Sequence, residues 1–151
     1  MRDARDVAVE VPEDAETVFK AALGVVQKTK TCKILAVHND GRRLVAREKP
    51  WYSNPRFILV GVDVNGSGSV FHVVVGADPR TPAALLDGRL NDRALTKFLE
   101  RVRGAVDGSD PAPASPVGNY YLQHKTEVPW DDPNQLPEIE LGGNVLAMYG
   151  L

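Results

Sequence analysis

The stretch FILVGVDVNGSGSVFHVVVGA, residues 57–77, sets two β-branched and aromatic runs on either side of Asn65-Gly66-Ser67-Gly68-Ser69. Such runs favour strands, and a short Gly-rich break between them closes a hairpin. A strand with one wet face alternates apolar with polar residues. Here Ile58, Val60, Val62 and Val64 share one face while Phe57 and Leu59 share the other. Beyond the turn, Phe71, Val73 and Val75 oppose Val70, His72 and Val74. Both faces of this hairpin are apolar, so both need cover. The residues after 107 are one candidate for the second cover, and a second subunit is the other.

Working outward, Cys32 to Val37 and Leu44 to Glu48 read as two more strands joined by the tight-turn signal Asn39-Asp40-Gly41. Pro50 and Pro55 bracket a looser connection that carries Trp51 and Tyr52. Towards the N-terminus, Val7, Val9 and Val11 alternate with Ala8 and Glu10, the period of a half-buried strand, and Pro12 ends it. Glu13, Asp14 and Glu16 then put negative charge where a helix macrodipole favours it. Ala15, Val18, Phe19, Ala22 and Val26 form the apolar face of that helix, which stops between Lys28 and Lys30. A second helix is predicted over Asn91–Val106, with Asn91 as its N-cap and Leu95, Phe98, Leu99 and Val102 as its buried stripe. Gly104 and Gly108 are its candidate stops. The order β-α-β-β-β-β-α predicts an α+β fold: an antiparallel sheet of about five strands with the helices on one face.

That layout resembles the small helix-grip domains of the START and polyketide-cyclase type. The resemblance rests on Val7 to Ala22, a strand followed by VPEDAETVFKAA, and on the C-terminal helix Asn91–Val106. It covers about the first two-thirds of the chain. The two-layer sandwich of TATA-binding-protein-like folds has an equivalent order. The helix-grip resemblance implies a small-molecule domain that takes an apolar ligand between the sheet and the helix 91–106. Trp51, Tyr52, Phe71 and His72 are the residues expected at such a pocket.

Residues 108–151 differ in character from residues 1–107. They hold six of the eleven prolines, and Lys125 stands alone against Asp110, Glu127, Asp131, Asp132, Glu138 and Glu140. A segment of this composition builds no core of its own, yet it carries Tyr120, Tyr121, Leu122, Trp130, Val145, Leu146, Met148 and Tyr149. The reading is an acidic, Pro-rich, extended tail that docks on another surface. On it the protein is a non-catalytic subunit or adaptor that binds a protein partner through residues 109–151. The expected anchors are Tyr120, Tyr121, Trp130, Leu146, Met148 and Tyr149, since large rigid side chains dominate interfaces. Leu141 to Leu151, apolar after the Gly142-Gly143 pair, reads either as a docking peptide or as a last element packed on its own domain.

Between Lys28 and Arg56 eight cations face two anions, opposite in sign to the tail, although the whole chain carries only −2. With Trp51 and Tyr52 this stretch has three readings: a solvated strand face, a receiver for the acidic tail, or a nucleic-acid surface, the last being the least favoured. At 151 residues, 43% hydrophobic and 25% charged, the chain is long enough to bury a core. The charged start lacks a following apolar run, and no run spans a bilayer. An intracellular location is expected, or an organelle had a transit peptide been removed.

No motif supplies chemistry. The glycines at 65–69 precede a strand and no Lys follows, so a hairpin is favoured over a phosphate cradle. Asn65-Gly66-Ser67 also matches the glycosylation triplet. His38, His72 and His124 are scattered, without companions at metal-ligand spacing. Cys32 is the only cysteine, which excludes an internal disulfide and reads as a small buried hydrophobe. No catalytic residue, metal or cofactor is predicted.

Overall fold

The computed structural model describes residues 1–108 and 114–141. The alternating valines at the start become β1 (Arg2–Val11). Asp14 then caps α1 (Ala15–Lys28), its carboxylate accepting a hydrogen bond from the Thr17 amide at 3.1 Å, which satisfies one of the free amides of the first turn. Four strands follow: β2 (Cys32–His38), β3 (Arg43–Glu48), β4 (Arg56–Asn65) and β5 (Gly68–Ala77). After α2 (Asp87–Val106) the chain adds two short strands, β6 (Asn119–Gln123) and β7 (Thr126–Pro129).

All seven strands join one antiparallel sheet in the order β1-β5-β4-β3-β2-β6-β7. The α+β class and the one-sided helices agree with the sequence, but the sheet has seven strands rather than about five. The two additional strands arise from residues 119–129, where Tyr120 pairs with Val37 and Tyr121 with Ala36 at the edge of β2. α2 also starts one turn earlier than expected. Leu86 sits at its cap without a side-chain bond, and Asp87 accepts the Ala84 amide at 3.0 Å. Asn91 lies inside the helix, buried, donating to the Asp3 carbonyl at 3.0 Å. Gly104 is helical, whereas Gly108 follows the last turn with φ +76°, a conformation glycine adopts without strain.

The two faces of the sheet have separate covers. On one, Val60, Val62, Phe71, Val73 and Val75 pack with Phe19, Leu23, Leu95, Phe98 and Val102 of the helices. On the other, Leu35, Ala36, Val45 and Phe57 are covered by Trp130 and Ile139. Leu35 and Ala36 both serve this second face because the β2–β3 register shifts between Ile34 and Ala36.

Residues 130–141 thus form a strap across the sheet. The indole N–H of Trp130 donates to the carbonyls of Asp132 (2.7 Å) and Gln135 (3.1 Å). His38, also buried, accepts the Gly41 amide on Nδ1 at 2.8 Å, so Nε2 carries the proton and donates to the Asp131 carbonyl at 3.1 Å. The Trp130 and His38 rings meet edge to face at 5.5 Å. Asn119 Oδ1 accepts the amides of Asn39 and Asp40, tying β6 to the β2–β3 turn. Glu140 closes the strap against β6, donating to the Leu122 carbonyl and accepting from the His124 amide. Among the described residues no helix is long and apolar enough to cross a membrane.

Candidate functional site

α2 packs on β1 and β5 and against α1. Two clefts open along it. The first, of about 290 Å³, is apolar and lies towards the end of the helix, lined by Val9, Val11, Val18, Phe71, Leu99 and Val102. Glu13 and Arg103, paired at 3.4 Å, stand at its edge. The second, of about 410 Å³, lies towards the start of the helix, between α2, the turn after α1 and the β3–β4 connection. Ile58, Ala94 and Phe98 supply its apolar wall, and Trp51 and Tyr52 its lip. Phe71 of the first cleft and Phe98 of the second are in ring contact, centroids 6.4 Å apart, so this pair stands between the two openings.

The lip is unusual in its exposure. Trp51 is 93% exposed and Tyr52 61%, their rings edge to face at 5.5 Å. The neighbouring loop adds exposed Leu85 and Leu86, and Asn54 clasps the two loops by donating to the Pro82 carbonyl at 2.8 Å and to Asp87. Asp87 is itself buried and ion-paired with Arg2 at 3.0 Å. Burial alone would raise its carboxyl, but the Ala84 amide, Arg2 and Asn54 together hold it below the ordinary carboxylate range.

Three of the four residues expected at a helix-grip pocket are on this side: Trp51 and Tyr52 at the second cleft and Phe71 at the first. His72 is not. The pleat turns it to the opposite face of the sheet, where it pairs with Asp6 at 2.5 Å and borders a depression beneath residues 133–137. Of the expected partner anchors, Tyr120 packs against the helix-side core, Tyr121 against the strap-side cluster, and Trp130 is buried within that cluster. Burial, with Glu127 nearby, raises the Tyr120 phenol. Leu146, Met148 and Tyr149 lie outside the described residues. The adaptor reading therefore draws no support from the anchors that are described.

The basic stretch divides between the faces. Arg42 pairs with Glu16 and Arg43 with Asp63, while Arg56 is buried beside the second cleft. Lys33, Arg47 and Lys49 border an open depression of about 710 Å³ on the strap side, with Arg80 and Lys125. At its base Asp78, fully buried, accepts from Arg47 Nε at 3.1 Å and Arg80 Nη2 at 2.6 Å.

Burial, then the adjacent Glu48, pushes the Cys32 thiol up to about 12, which leaves no thiolate at neutral pH. Among the described residues no group of three or more His, Cys, Asp and Glu side chains is placed to hold a metal ion. The clefts therefore offer shape, apolar surface and charge: they are suited to holding a molecule.

No family model matches the chain, and no curated protein matches it. Its fold is similar to that of Ara h 8.0201, with a TM-score of 0.52 at 11% identity over 70% of this chain and 97% of that one. It is also similar to DynU16, a protein of the dynemicin biosynthetic locus, with a TM-score of 0.53 at 14% identity. That match covers 75% of this chain and 50% of DynU16. The similar structures include a START superfamily protein from Mycobacterium smegmatis, at 17% identity over 70% of this chain and 98% of that one, TM-score 0.41. At these identities the likeness is one of fold, and the fold is of the helix-grip type.

Proposed function

We propose that this protein is a binding domain for a small apolar molecule, held between α2 and the sheet. The observation that carries the reading is the pair of clefts along α2, one walled mainly by Val, Leu and Phe side chains with Glu13, Glu100 and Arg103 also on its lining, meeting at the Phe71–Phe98 contact. Ligand sites are concave, mostly apolar and furnished with a few convergent polar groups, at volumes upwards of ~300 Å³. The exposed Trp51 and Tyr52 at the lip supply further surface for a ligand to cover. The fold likeness supports this reading as an analogy only.

The test is a fluorescence titration with the neutral dye N-phenyl-1-naphthylamine. Saturable 1:1 binding is expected, weakened by at least about tenfold in Leu99→Trp, which fills the apolar cleft; such a loss equals ~1.4 kcal/mol. Dye fluorescence that rises without saturation, or equal binding by the filled variant, would sink the proposal.

A further inference from the structure

The second cleft has a charge pattern that an apolar ligand alone leaves unexplained. Arg93, Lys97 and Arg101 recur every four residues along α2 and all line the cleft, so they form one cationic stripe on its wall. Like charges at that spacing repel one another and destabilise a helix. Across the cleft stands Arg56, only 3% exposed. Its guanidinium donates to Ser53 Oγ at 2.7 Å and the Leu90 carbonyl at 3.5 Å, but its buried Nε makes no hydrogen bond. Glu48, its register partner across β3 and β4, is the sole acid on the lining and stands 3.6 Å from that Nε. Glu48 Oε2 also receives the Cys32 thiol at 3.9 Å. Arg101 is satisfied by Thr29 Oγ1 at 2.6 Å. Arg93 and Lys97 are exposed and have neither a hydrogen bond nor an acid partner among the described residues.

Four cations therefore line this cleft against a single carboxylate, in a cleft whose apolar wall includes Ile58, Ala94 and Phe98 and whose lip is two bare aromatic rings. We infer that this cleft binds an amphipathic organic anion. Its carboxylate, phosphate or sulfonate sits between Arg56 and the Arg93–Lys97 stripe, and its apolar body lies against Phe98, Ile58 and the Trp51–Tyr52 pair. An anion there offsets the repulsion along the stripe, and charge-assisted bonds in a partly desolvated cleft are stronger than neutral ones. The inference rests on the small-molecule reading and adds to it the sign of the ligand's charge and the end of α2 at which that charge is held.

The experiment compares two dyes with similar aromatic bodies: anionic 8-anilinonaphthalene-1-sulfonate and neutral N-phenyl-1-naphthylamine. The sulfonate should bind at least about tenfold tighter, and its advantage should shrink as salt rises from about 0.02 to about 0.3 M. In the double variant Arg93→Gln with Lys97→Gln, the preference should fall below about threefold. The variant's thermal midpoint should not drop, since it removes like-charge pairs. Displacement of the sulfonate by laurate or dodecyl phosphate, and not by dodecanol, counts for the inference. Equal binding of the two dyes, or a preference that survives the double variant, overturns it while leaving the small-molecule reading in place. Failure of both dyes to bind overturns both.

Discussion

Replacing Trp130 with alanine removes the largest side chain of the strap. The ring is 6% exposed, packed with Leu35, Ala36, Val45, Phe57 and Ile139, and its N–H spans two carbonyls of the strap itself. An indole buries about 200 Å², which at ~25 cal/mol per Å² amounts to about 5 kcal/mol. Measured large-to-small core losses of this kind run at ~3–5 kcal/mol, and that is the expected cost. Against a total stability on the order of 5–15 kcal/mol the loss is severe. Urea unfolding followed by far-UV circular dichroism reads it directly, through the loss of backbone structure. With a slope of ~2 kcal/mol per M, the midpoint should fall by roughly 2 M. A fall of less than about 0.5 M would refute the reasoning, because it would mean that residues 130–141 rest on the sheet without being part of its core.

Gly41→Ala drives a methyl into the Pro133 ring, so the strap must shift, at an expected cost of ~1–3 kcal/mol in the same urea assay. For Asp78, burial raises the carboxyl, but the bonds from Arg80 and then Arg47 outweigh it and hold it below the ordinary carboxylate range. Its folded pKa lies below the unfolded one, so its stabilisation is complete at neutral pH and is lost as pH falls below ~4 through the folded value. Asp78→Asn should therefore lower the thermal midpoint clearly at pH 7, with the gap to the parent protein narrowing towards pH 3. The Cys32 thiol, pushed up to about 12, should react with iodoacetamide at pH 8 at least about tenfold more slowly than free cysteine, until denaturant exposes it.

The period-two and period-3.6 patterns made β1 to β5 and both helices readable, because burial on a fixed face repeats at the spacing of the backbone. The apolar outer face of the 57–77 hairpin even announced that a second cover was required. β6 and β7 were not readable. NYYLQ and TEVP are short, flanked by Pro and Gly, and show no alternation; what places them is Asn119 bonding to the β2–β3 turn, a contact between residues eighty positions apart. Asn91 looked like a helix cap because its amide is suited to one, but the same amide serves the Asp3 carbonyl across the core. At the clefts, Trp51 and Tyr52 stood out as aromatics in a loop. The cations at 93, 97 and 101 have the spacing of a helix face, but exposed charge flanking a buried stripe is what any amphipathic helix shows. Arg56, standing between Pro55 and the apolar run that begins at Phe57, gave no sign that its strand register would bring it to Glu48 beneath the cleft.

The position of β2 in the sheet has a consequence for how the chain is made. Among the described residues its outer edge pairs with β6, and Trp130 and Ile139, with Leu141 and Tyr121 beside them, cover its outer face. A ribosome adding ~5–20 residues per second needs roughly 5–20 s to go from the end of β3 at Glu48 to Leu141 at the end of the strap. Throughout that interval a nascent chain carries an unpaired strand edge beside the apolar patch of Leu35, Ala36, Val45 and Phe57. An open edge next to apolar surface is where strands of different chains join, so crowding of nascent chains during overproduction bears on this protein most heavily before residues 119–141 have been synthesised.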